Sequence, residues 1–265
     1  MTCGVQHGES ERPAPDCRIC QDERQYVGEH GQQWTTLDQL ALDHRSNIRE
    51  LEPGLLGIGA EPAFAIGQRA LLVETSDGNV LWDCTPLLVE AAEEVERRGG
   101  LAAIAVSHPH FYSAMIEWAR RFEAPVHLPA ADRAWVMRPD ERIEHFDADR
   151  LELPGGCTLV RCRGHFPGSA VLHWPNGAGG RGALLTGDTI QVVPDEGWVS
   201  FMYSYPNLIP LPIEAVERIV AAVQPYDFDR IYGGWWDRVI GDDAKAAVAR
   251  SARRYAQALR PGSRP

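Results

Sequence analysis

The chain has 265 residues, which can bury a full core as one domain with room for a small appendage. Hydrophobic residues make up 44% and charged residues 24%, as in ordinary globular proteins, and a net charge of -11 disfavours a nucleic-acid surface, which needs cationic groups against phosphates. Since the longest apolar run is short of the roughly 20 residues of a membrane helix, and the start MTCGVQHGES is unlike a secretory signal, we expect a cytoplasmic protein without a membrane or nucleic-acid partner.

The first 35 residues are rich in glycine, proline and charge, so they could hardly form a core without a metal. Cys17 and Cys20 form a C-x-x-C pair, and Cys3 and His7 precede it with three residues between them. Such Cys/His sets hold tetrahedral structural zinc. We therefore predict a zinc-binding segment over residues 1–35 and a main domain over 36–265. Incidental cysteines and a redox pair are the alternatives, although the strand before a thioredoxin-like C-x-x-C is absent.

Strand and helix patterns alternate along the main domain. In chain order they predict strands over 70–74 and 80–83, a helix over 86–98, a strand over 101–106, a helix over 114–122, a strand over 126–128 and a short helix over 130–136. Several strands follow between 150 and 186, and a strand over 230–232 lies between helices over 213–223 and 242–259. This order favours an α/β (α+β) sandwich of two sheets with helices outside.

Three histidines and one aspartate lie at loop positions. The segment AVSHPHFY places His108 and His110 between a buried strand and a helix, and Pro109 restricts how the two rings are presented. An isolated His-x-His is often incidental. However, the turn GHFPGS adds His165, and the apolar run LLTGD ends in Asp188. Together these residue types indicate a metal site.

The order and spacing of these motifs resemble the metallo-β-lactamase-fold hydrolases, whose signatures are His-x-His-x-Asp-His, a later Gly-His-x-Pro-Gly, and Gly-Asp at a strand end. The segment NVLWDC is similar to that family's strand ending in a buried aspartate, here Asp83. The likeness spans residues from about 55 to about 240. It implies a four-layer αββα sandwich. The active-site metal ligands that it implies are His108, His110, His165 and Asp188.

Three groups that hold a second metal in that family are missing here. Tyr112 and Ser113 stand where the first motif has Asp and His, and the segment GGWWD over 233–237 stands where a last His usually lies. The resemblance therefore implies one active-site metal. We expect zinc, with iron or manganese as alternatives because His and Asp are not strongly selective.

A metal with an open position would activate water and polarise a carbonyl. We therefore predict a metallo-hydrolase of a small-molecule or carrier-bound ester, thioester, lactone or amide. Its candidate catalytic groups are Tyr112 as a hydrogen-bond donor, Asp188 at the position that normally bridges two metals, and Asp237 as a base. Two alternatives remain: an iron oxygenase resembling the persulfide dioxygenase branch, and a non-catalytic descendant that binds a ligand. The sequence indicates neither the substrate nor the oligomeric state.

Overall fold

The computed structural model describes residues 1–260 and 262, and a seven-stranded sheet forms its first half. The strands are β1 (Arg45–Glu52), β2 (Leu55–Glu61), β3 (Ala70–Val73), β4 (Val80–Trp82), β5 (Ala103–Ala105), β6 (Val126–Pro129) and β7 (Ile143–Phe146). They lie in chain order across the sheet. The pairs from β1 to β4 are antiparallel, and those from β4 to β7 are parallel.

The second half of the chain forms a six-stranded sheet and two short ribbons. Its strands are β8 (Arg150–Glu152), β9 (Thr158–Arg161), β10 (Ala170–Trp174), β11 (Ala183–Leu185), β12 (Gln191–Val192), β13 (Val199–Ser200), β14 (Met202–Ser204), β15 (Ile209–Pro210), β16 (Arg230–Tyr232) and β17 (Val239–Ile240). The order across the sheet is β17-β16-β11-β10-β9-β8, and only β11 and β16 pair in parallel among the described strands of this sheet. The ribbons are β12-β13 and β14-β15.

Helices cover the outer faces of both sheets. The α-helices of the described residues are α1 (Arg18–Gln21), α2 (Leu37–Asp43), α3 (Val89–Arg97), α4 (Met115–Phe122), α5 (Gly177–Gly180), α6 (Ile213–Val223) and α7 (Ala244–Leu259). Buried residues of α3 and α4 share a core cluster with the seven-stranded sheet, and those of α6 and α7 share one with the six-stranded sheet. In the described part of the chain, no helix is both long and apolar enough to cross a membrane.

Alternation along the central strands produces the four layers. In β3, Leu71 belongs to the core between the sheets, whereas Leu72 packs with α3 and α4. In β11, Leu185 belongs to the core between the sheets, whereas Leu184 packs with α6 and α7. Successive strand residues point to opposite faces, so a strand that is apolar throughout is buried on both sides. The αββα sandwich is therefore confirmed.

The predicted elements are present, with shifted ends. The helix over 213–223 and the strand over 230–232 have the predicted bounds, whereas the short helix over 130–136 is a 3-10 helix at Ala130–Trp135. The hairpin of β1 and β2 was missed. Gly57 and Gly59 interrupt the apolar pattern of β2, and the ring of Trp236 lies where a side chain at either position would be.

The first 35 residues pack onto the main body. Cys3, Val5 and Ile19 belong to the same core cluster as α3 and α4. Gln6 N donates to Ser113 O at 3.0 Å, just before α4. The amino-terminal segment therefore adds to the helical layer on the seven-stranded sheet.

Candidate metal centre

The loop after β5 presents His108 and His110. His108 is extended, with φ of -170°, as expected before a proline, and Pro109 opens a single 3-10 turn. The turn brings the two imidazole centres to 5.1 Å. Ser107 Oγ lies 2.8 Å from His108 Nδ1, which leaves Nε2 as the free nitrogen of that ring.

The turn between β9 and β10 supplies His165. Its ring centre lies 5.0 Å from that of His108 and 5.3 Å from that of His110. Its Nδ1 donates to Tyr203 O at 2.8 Å, a bond that again directs Nε2 toward the other histidines. Gly168 is required in this turn because a Cβ there would lie 2.5 Å from Asp132 Oδ2.

Asp188 follows β11 and completes the cluster. Its Oδ2 lies 3.5 Å from His108 Nε2 and 3.9 Å from His165 Nε2. Tyr205 Oη donates to Asp188 O at 3.0 Å. The preceding Gly187 has φ of +50°, and a Cβ on it would lie 2.5 Å from Ser107 Oγ. Gly187 thus allows the two loops to approach closely.

The four predicted ligands form the histidine centre, in which one potential ligand atom of each lies within 4.8 Å of the others. Each residue is at most 5% exposed. Within residues 1–260 and 262, the Nε2 atoms of the three histidines and Asp188 Oδ1 have no hydrogen-bond partner. Since buried polar atoms are nearly always paired, this donor set fits a cation.

The protonation states agree with metal binding. Burial, together with the neighbouring His108 and Arg24, lowers the pKa of His165 to about 4. Burial and the neighbouring His108 also hold the pKa of His110 well below its ordinary value. Both imidazoles are therefore neutral at neutral pH, which is the form that binds a metal.

Asp83, directly after β4, supports the loop that carries His108. Its Oδ1 accepts a hydrogen bond of 2.7 Å from Ser107 N, next to His108. Burial raises the pKa of Asp83 to about 8, and the charge of Asp188 contributes. The buried aspartate that the resemblance implied is therefore present.

Tyr112 is buried beside the turn that carries the histidines. Its Oη has no hydrogen-bond partner among the described residues. Burial holds its pKa well above the ordinary value, and the charge of Asp132 adds to this effect. The hydroxyl keeps its proton at neutral pH, as a donor must, although Tyr112 is outside the group of four ligands.

Aromatic rings fill the region where the family's last histidine was expected. A Cβ on Gly234 would lie 2.7 Å from the ring of Phe111, and Trp235 packs edge-on against that ring. Phe111 in turn lies 4.6 Å from His108 between ring centres. The side chain of Asp237 is 73% exposed and pairs with Arg238 at 2.8 Å, outside the group of ligands.

The amino-terminal cysteines also come together, in what we name the thiol cluster of Cys3, Cys17 and Cys20. Helix α1 places Cys17 at its start and Cys20 one turn later, with both buried. His7 was the predicted fourth ligand. Hydrogen bonding from Cys20 and, to a smaller extent, from His7 lowers the pKa of Cys17. The structure brings the three cysteines together at ligand distance but leaves His7 outside that group.

Arg24 is a buried residue at the centre that the sequence analysis missed. Its Nη1 donates to His165 O at 3.0 Å, and its guanidinium lies 3.7 Å from the ring centre of Phe166. Asp22 accepts from its Nε at 2.6 Å and from its Nη2 at 2.8 Å. A charged triplet in a polar segment is typical of a solvated surface, so no sequence signal marked Arg24.

Comparison with known structures identifies the fold. VMB-1 matches with a TM-score of 0.62 and 15% identity, covering 82% of this chain and 99% of that chain. The metallo-β-lactamase FIM-1 from Pseudomonas aeruginosa in its mono-zinc form matches with a TM-score of 0.59 and 14% identity, covering 79% of this chain and 95% of that chain. At this identity the likeness concerns the fold, which is that of the metallo-β-lactamase superfamily.

A closer relative is known by sequence. The uncharacterized protein YmaE of Bacillus subtilis (strain 168) is 47% identical over 263 residues, covering 97% of this chain and 95% of YmaE. No family model matches the chain. The chain belongs to the family of YmaE and has the metallo-β-lactamase fold.

Proposed function

We propose that the protein is a metal-dependent hydrolase with one metal ion at the histidine centre. The observation that carries the proposal is the set of three buried histidine Nε2 atoms without partners among the described residues, with the Asp188 carboxylate 3.5 Å from one of them. A buried polar atom left unpaired costs about 1–3 kcal/mol. One divalent cation would satisfy the three Nε2 atoms, with Asp188 as the fourth ligand. Three neutral imidazoles and a carboxylate suit zinc, and iron or manganese are the alternatives.

A single metal is favoured by the residues around the centre. Tyr112 and Ser113 replace two ligands of the second metal, and the close approach of Gly234 to Phe111 leaves no room for a side chain at position 234. The thiol cluster is the only other group of three or more His, Cys, Asp or Glu residues at ligand distance within the described ranges. FIM-1, of the same fold, also has a mono-zinc form.

A divalent ion at this centre supplies Lewis-acid polarisation of a carbonyl and a bound water of lowered pKa. The residues of the chain orient the metal ligands and supply a proton donor. Ser107 and the carbonyl of Tyr203 fix the two rings whose Nε2 atoms face the centre. Tyr112, which retains its proton, is the candidate donor to an oxyanion or a leaving group.

The surroundings favour a small or carrier-bound acyl substrate: an ester, thioester, lactone or amide. The rings of Phe111, Phe166 and Tyr205 lie 4.6 to 5.6 Å from histidine rings of the centre and offer apolar contacts. The net charge of -11 disfavours polyanionic nucleic acids. We further propose that the protein acts in the cytoplasm.

One observation favours a second candidate, a ligand-binding protein without catalysis. The ligands are 1%, 3%, 1% and 5% exposed, so a substrate has little direct access to the metal in this conformation. An iron oxygenase is a third candidate, since two histidines and an aspartate also suit iron. Copurified iron would distinguish the oxygenase from a zinc hydrolase. Turnover of a substrate would distinguish the hydrolase from a binding protein.

The test is a metal analysis combined with a substrate panel. Protein purified without an affinity tag is analysed by mass spectrometry for zinc, iron and manganese, and then assayed on activated esters, thioesters, lactones and amides. We expect His110→Ala to lose one metal per chain and to fall to background hydrolysis. His127→Ala is the control, because His127 lies on β6 and pairs with Glu144 at 3.5 Å. Equal metal content in both variants would refute the proposed site.

A further inference from the structure

The thiol cluster has the dimensions of a thiolate metal site. The Sγ atoms of Cys3 and Cys17 are 3.8 Å apart, and the three sulfur atoms lie within 4.8 Å of one another. With metal–sulfur bonds of about 2.3 Å, the edge of a tetrahedral zinc site is about 3.8 Å. The sulfurs therefore need little movement to share one ion.

His7 is the candidate for the fourth corner, although it lies outside the group of three cysteines at ligand distance. Its Nε2 is buried and has no hydrogen-bond partner in the described part of the chain, and its ring packs edge-on against Trp34 with centres 4.8 Å apart. Gln32 Nε2 donates to Cys20 Sγ at 3.3 Å, a contact of the kind that supports a thiolate from outside a metal site.

The segment after the thiol cluster leads to the histidine centre. Cys17 and Cys20 fix α1, and Arg24 follows only four residues after Cys20. Arg24 reaches the carbonyl of His165 and covers the ring of Phe166. A residue of the amino-terminal segment thus contacts the backbone of a metal ligand.

Glu23 makes a second connection, to β14. Its carbonyl accepts hydrogen bonds of 2.6 Å from Ser204 Oγ and from Asn207 Nδ2, and its Oε1 accepts one of 2.8 Å from Tyr203 Oη. The carbonyl of Tyr203 is the acceptor for His165 Nδ1. The amino-terminal segment therefore holds the strand that orients His165.

We infer that the thiol cluster and His7 bind a zinc ion, and that this ion holds residues 22–24 in the position that orients His165. The first part stands on the thiol cluster alone. The second part rests on the proposed function, since it requires a metal at the histidine centre. Arg24 and Glu23 are positioning residues. Because outer contacts of metal ligands contribute about 10- to 100-fold to metal affinity, loss of the thiol-bound zinc weakens metal binding at the histidine centre by that factor.

The thiol site is tested with cobalt in place of zinc, on the full-length protein. Cobalt bound to thiolates absorbs in the near ultraviolet by charge transfer, whereas cobalt on histidines and a carboxylate lacks this band. We expect the band in wild-type protein and in His110→Ala, and its strong reduction in Cys20→Ser. Cys157→Ser is the matched control, because Cys157 is also a buried free cysteine but lies between the sheets. A wild-type protein without the band, or a band lost equally in Cys157→Ser, overturns the thiol site.

The coupling is tested by the affinity of the histidine centre. Wild-type protein is first given one equivalent of zinc. If cobalt added afterwards produces no charge-transfer band, the thiols are already occupied by zinc. Cobalt is then titrated against a chelator of known affinity. We expect Cys20→Ser and Arg24→Met to bind this cobalt about 10- to 100-fold more weakly.

Arg230→Met is the control for Arg24→Met. Arg230 is ion-paired like Arg24, with Glu52 at 2.8 Å, and is partly buried, but it lies on β16. Unchanged affinity in both Cys20→Ser and Arg24→Met overturns the coupling. If wild-type protein binds no cobalt after the thiols are filled, both the coupling and the proposed function are refuted. The charge-transfer band tests the thiol site independently of this result.

Discussion

Gly187 gives a prediction that can be worked out from the structure. At φ of +50° an alanine costs about 1–2 kcal/mol in backbone strain. Its Cβ would lie 2.5 Å from Ser107 Oγ and 2.8 Å from Ser107 Cβ. Ser107 cannot move away freely, because its N–H donates to Asp83 and its hydroxyl contacts His108. Overpacking of this kind costs about 1–3 kcal/mol more, so we expect Gly187→Ala to lose about 2–5 kcal/mol.

The assay is thermal unfolding followed by circular dichroism, with metal content measured on the same samples. At about 2 °C per kcal/mol for a chain of this length, the expected loss corresponds to a fall in Tm of about 4–10 °C. Gly180→Ala is the control, because Gly180 has φ of +86° and, among the described atoms, none lies within 4 Å of its Cβ. It should lose only the strain of about 1–2 kcal/mol. Equal falls in Tm for both variants would show that the close contact with Ser107 is unimportant.

The remaining predictions concern Tyr112 and Asp132. Tyr112→Phe should lower kcat by about two to three orders of magnitude if the hydroxyl stabilises an oxyanion, whereas an unchanged kcat would make Tyr112 a packing residue. Tyr112→Asp restores the family's residue, but the variant should still bind one metal at the histidine centre because the other ligands of the second metal are missing. Mass spectrometry counts the metals, and two closely spaced metals there would contradict this prediction. Burial raises the pKa of Asp132 to about 6, so the folded state retains a proton that the unfolded state releases near pH 4. As the pH rises from about 4 to about 6, wild-type stability should therefore fall relative to Asp132→Asn, by up to about 3 kcal/mol, and level off above that range. Urea unfolding at pH 4.5 and 7.5 measures this, and a constant difference between the two proteins would contradict it.

The ligands of the histidine centre could be predicted because their motifs are local. The strand before His108, the Gly/Pro turn around His165 and the strand before Asp188 are each visible in a few consecutive residues. Each places a side chain at a loop next to a buried strand. The same reasoning found the three cysteines of the thiol cluster from their spacing.

Features that depend on contacts between distant parts of the chain could not be predicted from the sequence. The hairpin of β1 and β2 was missed because Gly57 and Gly59 do not look apolar, and only the fold brings Trp236 against them. Asp237 was considered as a base because of its sequence neighbours, but its side chain is exposed and pairs with Arg238.

The sequence by itself therefore determined the fold class, the four residues of the histidine centre and the three thiols, since hydrophobic periodicity and motif spacing are properties of short segments. The tertiary structure alone decided how the two groups are connected. Arg24 and His165 are 141 residues apart in sequence, yet a hydrogen bond joins them. A contact of this separation is set by the packing of whole elements, which no local pattern specifies.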